Sequence, residues 1–378
     1  MQSYDNAMRR QVYSLPSLIE EQYRDLEPKT RKVLTTPEIF SVQRIVLTGC
    51  GDSHAAAMAT KYTFERLTGI PTEVVPAIEL ARNYDERQLG FAPHNPLVIA
   101  VSNSGNVARV GEAIKRVVKH GAFALGITGN ENSLLGESAS RVLPLSVPQF
   151  ESAPGTRSYL VSVLALLLMA IRIGEVRGRY TMDQAMAYRN DILRQGVLLE
   201  EMLPAMDASM YKLADKWRSM EAFDFIASGS DYAAAFYGHA KVFEAMGKYA
   251  MCVNTEEWLH LNFFMRRFDK IGTVVICNSQ NPALSRTAEL VSHSAKDLNR
   301  STLVVSDELA FPLNGAEHVA VPKSGFAQTG VLTQFVPLAL LTGYIGEMIG
   351  EKDGRGCEGN WSFCTGGAAI KNSEIIVL

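Results

Sequence analysis

Residues 44–62, RIVLTGCGDSHAAAMATKY, carry the reading on which the fold depends. A continuous apolar run ends at Thr48, glycines follow at Gly49 and Gly51, and Ser53 stands at the mouth of an alanine-rich helix. This is a strand, a turn that glycine's freedom at positive φ permits, and a helix. Outward from it, apolar runs at 72–76, 96–102, 123–128 and 141–147 alternate with helix candidates at 53–67, 106–120 and 134–140. Strands that are apolar throughout, separated by helices, predict a parallel sheet covered on both faces. Residues 156–177 then predict one long buried helix.

The pattern returns later in the chain. Residues 181–220 are charged, helical in period and free of strand candidates. Apolar runs recur at 223–230, 250–258, 272–279, 301–307 and 318–324, followed by a helix over 328–350. Placing Gly51 on Gly229 puts Ala55, Ala56 and Ala57 on Ala233, Ala234 and Ala235, and the same offset of 178 puts Glu79 on Glu257. Repeated element order with repeated residues predicts a duplicated domain. The expected fold class is α/β: two tandem domains, each a parallel sheet flanked by helices in a flavodoxin-like three-layer sandwich. The expected divisions are a helical arm over 1–30, a first domain over 31–178, a helical connector over 179–220, a second domain over 221–350 and a tail over 351–378.

Composition narrows the function classes. A chain of 378 residues with 47% hydrophobic content and a net charge of −3 is globular, too long for one ordinary core, and a poor match for nucleic acid. Five cysteines (Cys50, Cys252, Cys277, Cys357, Cys364) with no Cys-x-x-Cys pair predict reduced thiols rather than disulfides or a zinc site. Charges run through the first fifteen residues, so no signal peptide is expected. The apolar stretch 159–171 is short for a membrane span, and 331–350 contains Thr, Gln, Pro and Glu. Both predict buried core helices, no membrane partner and a cytoplasmic location. No cofactor and no metal are expected.

Two loops in the first half have the chemistry of a phosphate cradle. In GCGDSH (49–54) the glycines allow close backbone approach beside Ser53, and in VSNSGN (101–106) Ser102 and Ser104 flank Asn103 before Gly105 makes the turn. Free backbone N–H groups and the positive end of a helix favour an anion there. In open parallel sheets ligands bind at the carboxyl ends of the strands, where both loops fall. Helix capping explains either loop taken singly; the two together favour a ligand. Neither loop has the spacing of a Walker A or a dinucleotide fingerprint, which argues against a nucleotide.

These loops, with GTRSYL at 155–160, resemble the first sugar-isomerase (SIS) domain of the family that includes the isomerase half of glucosamine-6-phosphate synthase. The resemblance runs from about Ala7 to the C-terminus and implies two tandem SIS domains. It implies that Ser53, Ser102, Asn103 and Ser104 hold the phosphate of a sugar 6-phosphate, helped by backbone at Cys50 and Gly51. It also assigns Gly155, Thr156 and Glu257 to the substrate set. Asp52 and Val107 stand where hydroxyl residues are usual. A carboxylate aimed inward would repel phosphate, so Asp52 is expected to face elsewhere.

The second half contains GHAKVFEAMGKYAMCVNTEEWLHLNFF, residues 238–264. Lys241 and Glu244 share a helical face, and His260 follows. Spacing alone reads the pair as a solvated ion pair and the histidine as structural. The resemblance implies chemistry instead. Glu244 becomes the base that moves a proton between C1 and C2, Lys241 the cation beside the developing oxyanion, and His260 the group for ring opening. It implies that His260 serves the other subunit of a homodimer, and that Lys371, in the tail GGAAIKNSEIIVL (366–378), can form an imine with the sugar carbonyl. The second phosphate loop, CNSQNP (277–282), is degenerate, and Leu261-Asn262 replaces the usual Gly-Pro after the histidine.

The synthase begins with a glutamine-hydrolysing domain that opens on cysteine, whereas this sequence opens Met-Gln-Ser, so glutamine-driven synthesis is not expected. The expected activity is cleavage of the C–N bond in a 6-phosphorylated aminosugar or Amadori compound through an enolamine. The alternatives are plain ketose–aldose isomerisation and a non-catalytic phosphosugar sensor.

Overall fold

The computed structural model describes residues 5–90, 95–351 and 368–378. Among the described residues, ten strands form two five-stranded parallel sheets. The first comprises β1 (Ile45–Gly49), β2 (Thr72–Val74), β3 (Leu97–Val101), β4 (Phe123–Thr128) and β5 (Arg141–Pro144), in the order β2-β1-β3-β4-β5. The second comprises β6 (Ala222–Ala227), β7 (Tyr249–Asn254), β8 (Ile271–Cys277), β9 (Thr302–Ser306) and β10 (Glu317–Ala320), in the order β10-β9-β8-β6-β7. Read from the other edge, the second order is the first. All pairings are parallel. The expected α/β class and its doubling are therefore present.

The fold contains two compact units, each built from separated segments. The first unit unites Ile19–Gln149, Arg157–Asn190 and the C-terminal residues; the second takes the N-terminal residues through Leu18, the short Phe150–Thr156 and the chain from Asp191. The expected connector is a single helix, Met182–Trp217, shared between the units at Asn190 and Asp191. In the first unit, Val46, Val98, Ala100 and Ala124 pack with Val110, Ala113, Ile114 and Val117 of the helix Ala108–Lys119. The helix Asp52–Thr68 packs against Arg157–Val176. Strands β1 and β3 are buried at every position, as a sheet covered on both faces requires.

The duplication extends to backbone conformation. Gly51 and Gly229 have φ of 55° and 63°, and Gly69 and Gly247, again 178 apart, end their helices at φ of 68° and 62°. A side chain at such a φ costs about 1–2 kcal/mol, which explains glycine at both copies.

One reading needs correction, and one, the buried core helices, is borne out. Residues 250–258 are not one strand: β7 ends at Asn254, whose side chain accepts the Glu257 N–H at 2.9 Å and starts the helix Thr255–Leu261. The apolar stretch at 159–171 is part of a 20-residue helix, long enough to cross a membrane by length and composition, as is Gly330–Met348. In both, 83% of the apolar window is buried inside the protein, so these are core helices.

Candidate functional site

The first loop leaves β1 at Gly49 and turns at Gly51, so that the helix Asp52–Thr68 starts with no side-chain cap on its first N–H groups. A side chain at Gly49 would collide with the Ser53 backbone at 2.8 Å, which shows how tightly strand and helix meet. The second loop leaves β3 through Ser102, whose N–H donates to the Ile127 carbonyl at 3.0 Å. Gly105, at φ 68°, has no room for a Cβ, which would lie 1.8 Å from Ser133 Oγ. Ser102 is buried, Asn103 and Ser104 are exposed, and Ser53 and Cys50 are half-buried. The structure thus sets the predicted cradle residues on two open loops at the carboxyl ends of adjacent strands. Burial pushes the Cys50 thiol up, against the pull of the Arg109 charge, so at neutral pH the loop presents a thiol and no extra anion. The charge of Asp52 reaches buried Tyr159 on the helix Arg157–Val176.

In the second unit the spacing-based reading of a solvated ion pair is wrong. Lys241 is fully buried, and its Nζ meets Glu244 Oε2 at 2.7 Å while the Glu244 side chain stays 42% exposed. An ammonium out of water requires a partner, and the pair supplies one at the edge of solvent. The helix Tyr232–Lys241 passes into a wider π turn over Val242–Met246, an irregularity that often marks functional positions. Lys241 Nζ also lies 4.9 Å from the centre of the Tyr237 ring, and Tyr237 Oη is 3.3 Å from Thr156 Oγ1. Phe150–Thr156 belongs to this unit, so Thr156, Tyr237, Lys241 and Glu244 form one connected group, with half-buried Gly155 preceding Thr156.

His260 and Glu257 stand on the helix Thr255–Leu261 of the same unit. His260 is 66% exposed, and its Nε2 is 3.2 Å from Glu256 Oε1, which Arg286 also holds. Glu257 is exposed. The underside of their helix is pinned: Asp224 Oδ2 accepts from Trp258 Nε1 at 3.0 Å, Asn262 Nδ2 at 3.2 Å and Arg300 Nη1 at 3.0 Å. Arg300 donates further to the Asn262 carbonyl at 2.6 Å. Asn262, where Pro is usual, is thus a buried anchor, while Leu261 is 60% exposed.

Lys371 closes the short helix Ala368–Lys371 and is exposed. The residues after it are strapped to the helix Ala108–Lys119: Arg109 donates to Ser373 Oγ at 3.1 Å and to the Glu374 carbonyl, and the Ile376 N–H donates to Glu112 Oε2 at 2.9 Å. Burial would raise the Glu112 carboxyl, but Arg82, the Ile376 N–H and Arg109 outweigh it and hold it below the ordinary carboxylate range. The glycine-rich segment ahead of Lys371, with Cys357 and Cys364, lies outside the described residues. Cys50, Cys252 and Cys277 are free thiols. Among the described residues no group of three or more His, Cys, Asp or Glu stands together to hold a metal ion.

Sequence reasoning missed Tyr237, Asp224 and Arg300, which carry no motif. It also missed Asp231, although the repeat offset of 178 pairs it with Ser53.

Residues 38–172 match the SIS domain model. The chain is 26% identical over 369 residues to a glutamine–fructose-6-phosphate aminotransferase (isomerizing) of Pseudomonas putida, covering 92% of this chain and 57% of that protein. It thus spans a little over half the length of that relative. Among solved structures it resembles the C-terminal domain of glucosamine-fructose-6-phosphate aminotransferase from Francisella tularensis, with a TM-score of 0.79 at 16% identity, covering 93% of this chain and 98% of that one. It also resembles a glucosamine-6-phosphate deaminase from Thermotoga maritima, with a TM-score of 0.63 at 18% identity, covering 90% and 96%. Residues 38–172 thus carry an SIS domain, and the second sheet repeats the strand order of the first.

Proposed function

We propose that this chain is a phosphosugar enzyme that cleaves the C–N bond of a 6-phosphorylated aminosugar or Amadori compound. The observation that carries the reading is the buried Lys241 joined to half-exposed Glu244, with Tyr237 and Thr156 behind it. A buried ammonium beside a carboxylate that water and substrate can reach is suited to proton transfer next to a carbonyl. The relative's name, which includes fructose 6-phosphate and isomerisation, supports a sugar phosphate as ligand.

In this reading Ser53, Ser102, Asn103 and Ser104, with backbone at Cys50 and Gly51, hold the phosphate; Gly155, Thr156 and Glu257 contact the sugar. With a 1-amino-1-deoxyketose, Glu244 removes a proton from C1 and the electrons pass to the C2 oxygen, giving an enolamine. Lys241 stabilises the developing oxyanion. Protonation at C2 then leaves an imine at C1, which water hydrolyses to an aldose phosphate and the free amine. Lys371 is the candidate for holding a sugar carbonyl as an imine, and His260 for ring opening in a second copy of the chain. The exposure of His260, and of Leu261, Phe264 (72% exposed) and Tyr249 (68%) in the same unit, supports a homodimer in which these residues are covered.

The test is turnover of fructoselysine 6-phosphate and glucosamine 6-phosphate by the purified protein. Release of amine from either supports cleavage. If both survive while fructose 6-phosphate and an aldose phosphate interconvert, the enzyme is an isomerase. Glu244→Gln should lower turnover about 10²–10⁴-fold with binding intact; an unchanged rate removes Glu244 from the chemistry, and no turnover of any sugar phosphate by the unaltered protein leaves a sensor.

A further inference from the structure

The second unit contains a counterpart of the phosphate cradle, and its donors are already occupied. Val101 pairs with Ile127 and Ile276 with Val305, and Ile127 and Val305 are 178 apart, so strand register sets Asn278 and Ser279 in the places of Asn103 and Ser104. The offset of 178 sets Asp231 in the place of Ser53 and Asp307 in the place of Gly129. Both replacements are carboxylates, and both turn to the loop.

Asp231, at the start of the helix Tyr232–Lys241, is 3% exposed. Its Oδ2 accepts the Asn278 N–H at 2.8 Å and Asn281 Nδ2 at 2.7 Å, and its Oδ1 accepts Gln334 Nε2 at 2.8 Å. Asp307 accepts the Ser279 N–H at 2.7 Å and Ser279 Oγ at 2.8 Å. Asn281 also donates to the Ser228 carbonyl at 2.9 Å, so the carboxylate and its partners tie the loop after β6 to the loop after β8. Loop N–H groups that converge beside a helix start suit an oxyanion, and here the oxyanion is part of the chain.

We propose that the second cradle is an anion site permanently filled by Asp231, with Asp307 saturating its rim. Each chain then offers one phosphate site instead of two, and cutting back Asp231 uncovers a second site for an oxyanion of phosphate or sulfate size. The inference takes its analogy from the first cradle but depends on no particular reaction.

Crystals of the unaltered protein and of Asp231→Ser, each soaked in selenate, provide the test through anomalous diffraction. The unaltered protein should show no selenate within hydrogen-bonding distance of the Asn278 N–H, whereas D231S should show one there. In solution, phosphate at constant ionic strength should raise the melting temperature of D231S by a few degrees more than that of the unaltered protein. Selenate at Asn278 in the unaltered protein overturns the proposal, as does a D231S site that stays empty with no added response to phosphate. Should D231S fail to fold, Asp231→Ala carries the test, with selenate expected at the vacated Asn278 N–H and its remaining empty overturning the proposal. Selenate missing from the Gly51 and Ser102 loops would count against the first cradle alone.

Discussion

The two cradles share strand order, register and the glycine turn at Gly51 and Gly229, yet their polar groups have opposite arrangements. In the first, a hydroxyl at Ser53 and a bare Gly129 leave Asn103 and Ser104 exposed on an open loop. In the second, Asp231 and Asp307 accept from the equivalent loop, and Asn278 is 4% exposed. The backbone of the fold therefore builds the loop pair twice, and two side chains decide in which copy carboxylates of the chain accept from the loop. Duplication leaves the second unit free to carry a different device, the buried Lys241 with Glu244.

The contrast can be broken at its centre by Ser53→Asp, which gives the first loop the carboxylate of the second. At about 4 Å a carboxylate opposes a phosphate charge by about 1–4 kcal/mol, so affinity for a sugar 6-phosphate should fall roughly five- to nearly a thousand-fold. Calorimetry would measure this, with circular dichroism expected to be unchanged. Equal affinity would mean that Ser53 does not face the phosphate.

A smaller effect concerns the tail, which is strapped to the first unit. Because the folded-state carboxyl of Glu112 is held below its ordinary range, its contribution is present above about pH 4 and is lost as pH falls through the depressed value. Hydrogen exchange at Ser373–Leu378 should rise on acidification, and Glu112→Gln should reproduce the rise at pH 7. Charged hydrogen bonds contribute about 1.5–3 kcal/mol each, so opening should increase roughly tenfold or more. An unchanged exchange rate would show that Arg109 alone holds the strap.

The least change is expected at the helix ends. Gly69→Ala and Gly247→Ala should each cost about 1–2 kcal/mol in urea unfolding, since both copies end at positive φ. Gly69→Ala should cost somewhat more, because its new Cβ meets the Arg179 guanidinium at 2.9 Å. A loss at only one of the two would weaken the equivalence of the copies.

Much of this was legible in advance because it is local. Apolar runs broken by glycine and serine mark strand, turn and helix, and the offset of 178 exposes the repeat wherever the side chains have stayed alike. The same offset did not reveal the filled cradle, since Ser53 and Asp231 differ and only geometry shows a carboxylate turned inward. The 250–258 reading failed at Asn254 because a capping side chain overrode an apolar run.

The sequence by itself determined the two parallel sheets, the loops at their carboxyl ends and the chemical character of Ser53, Ser102 and Ser104. Periodicity and turn chemistry act over a few residues, within reach of the linear order. Tertiary structure alone decided that Lys241 is buried, that Phe150–Thr156 serves the second unit, and that Asp231 closes the second cradle. Each of these depends on which distant groups share a water-free space, and desolvation has no signature in the spacing of a chain.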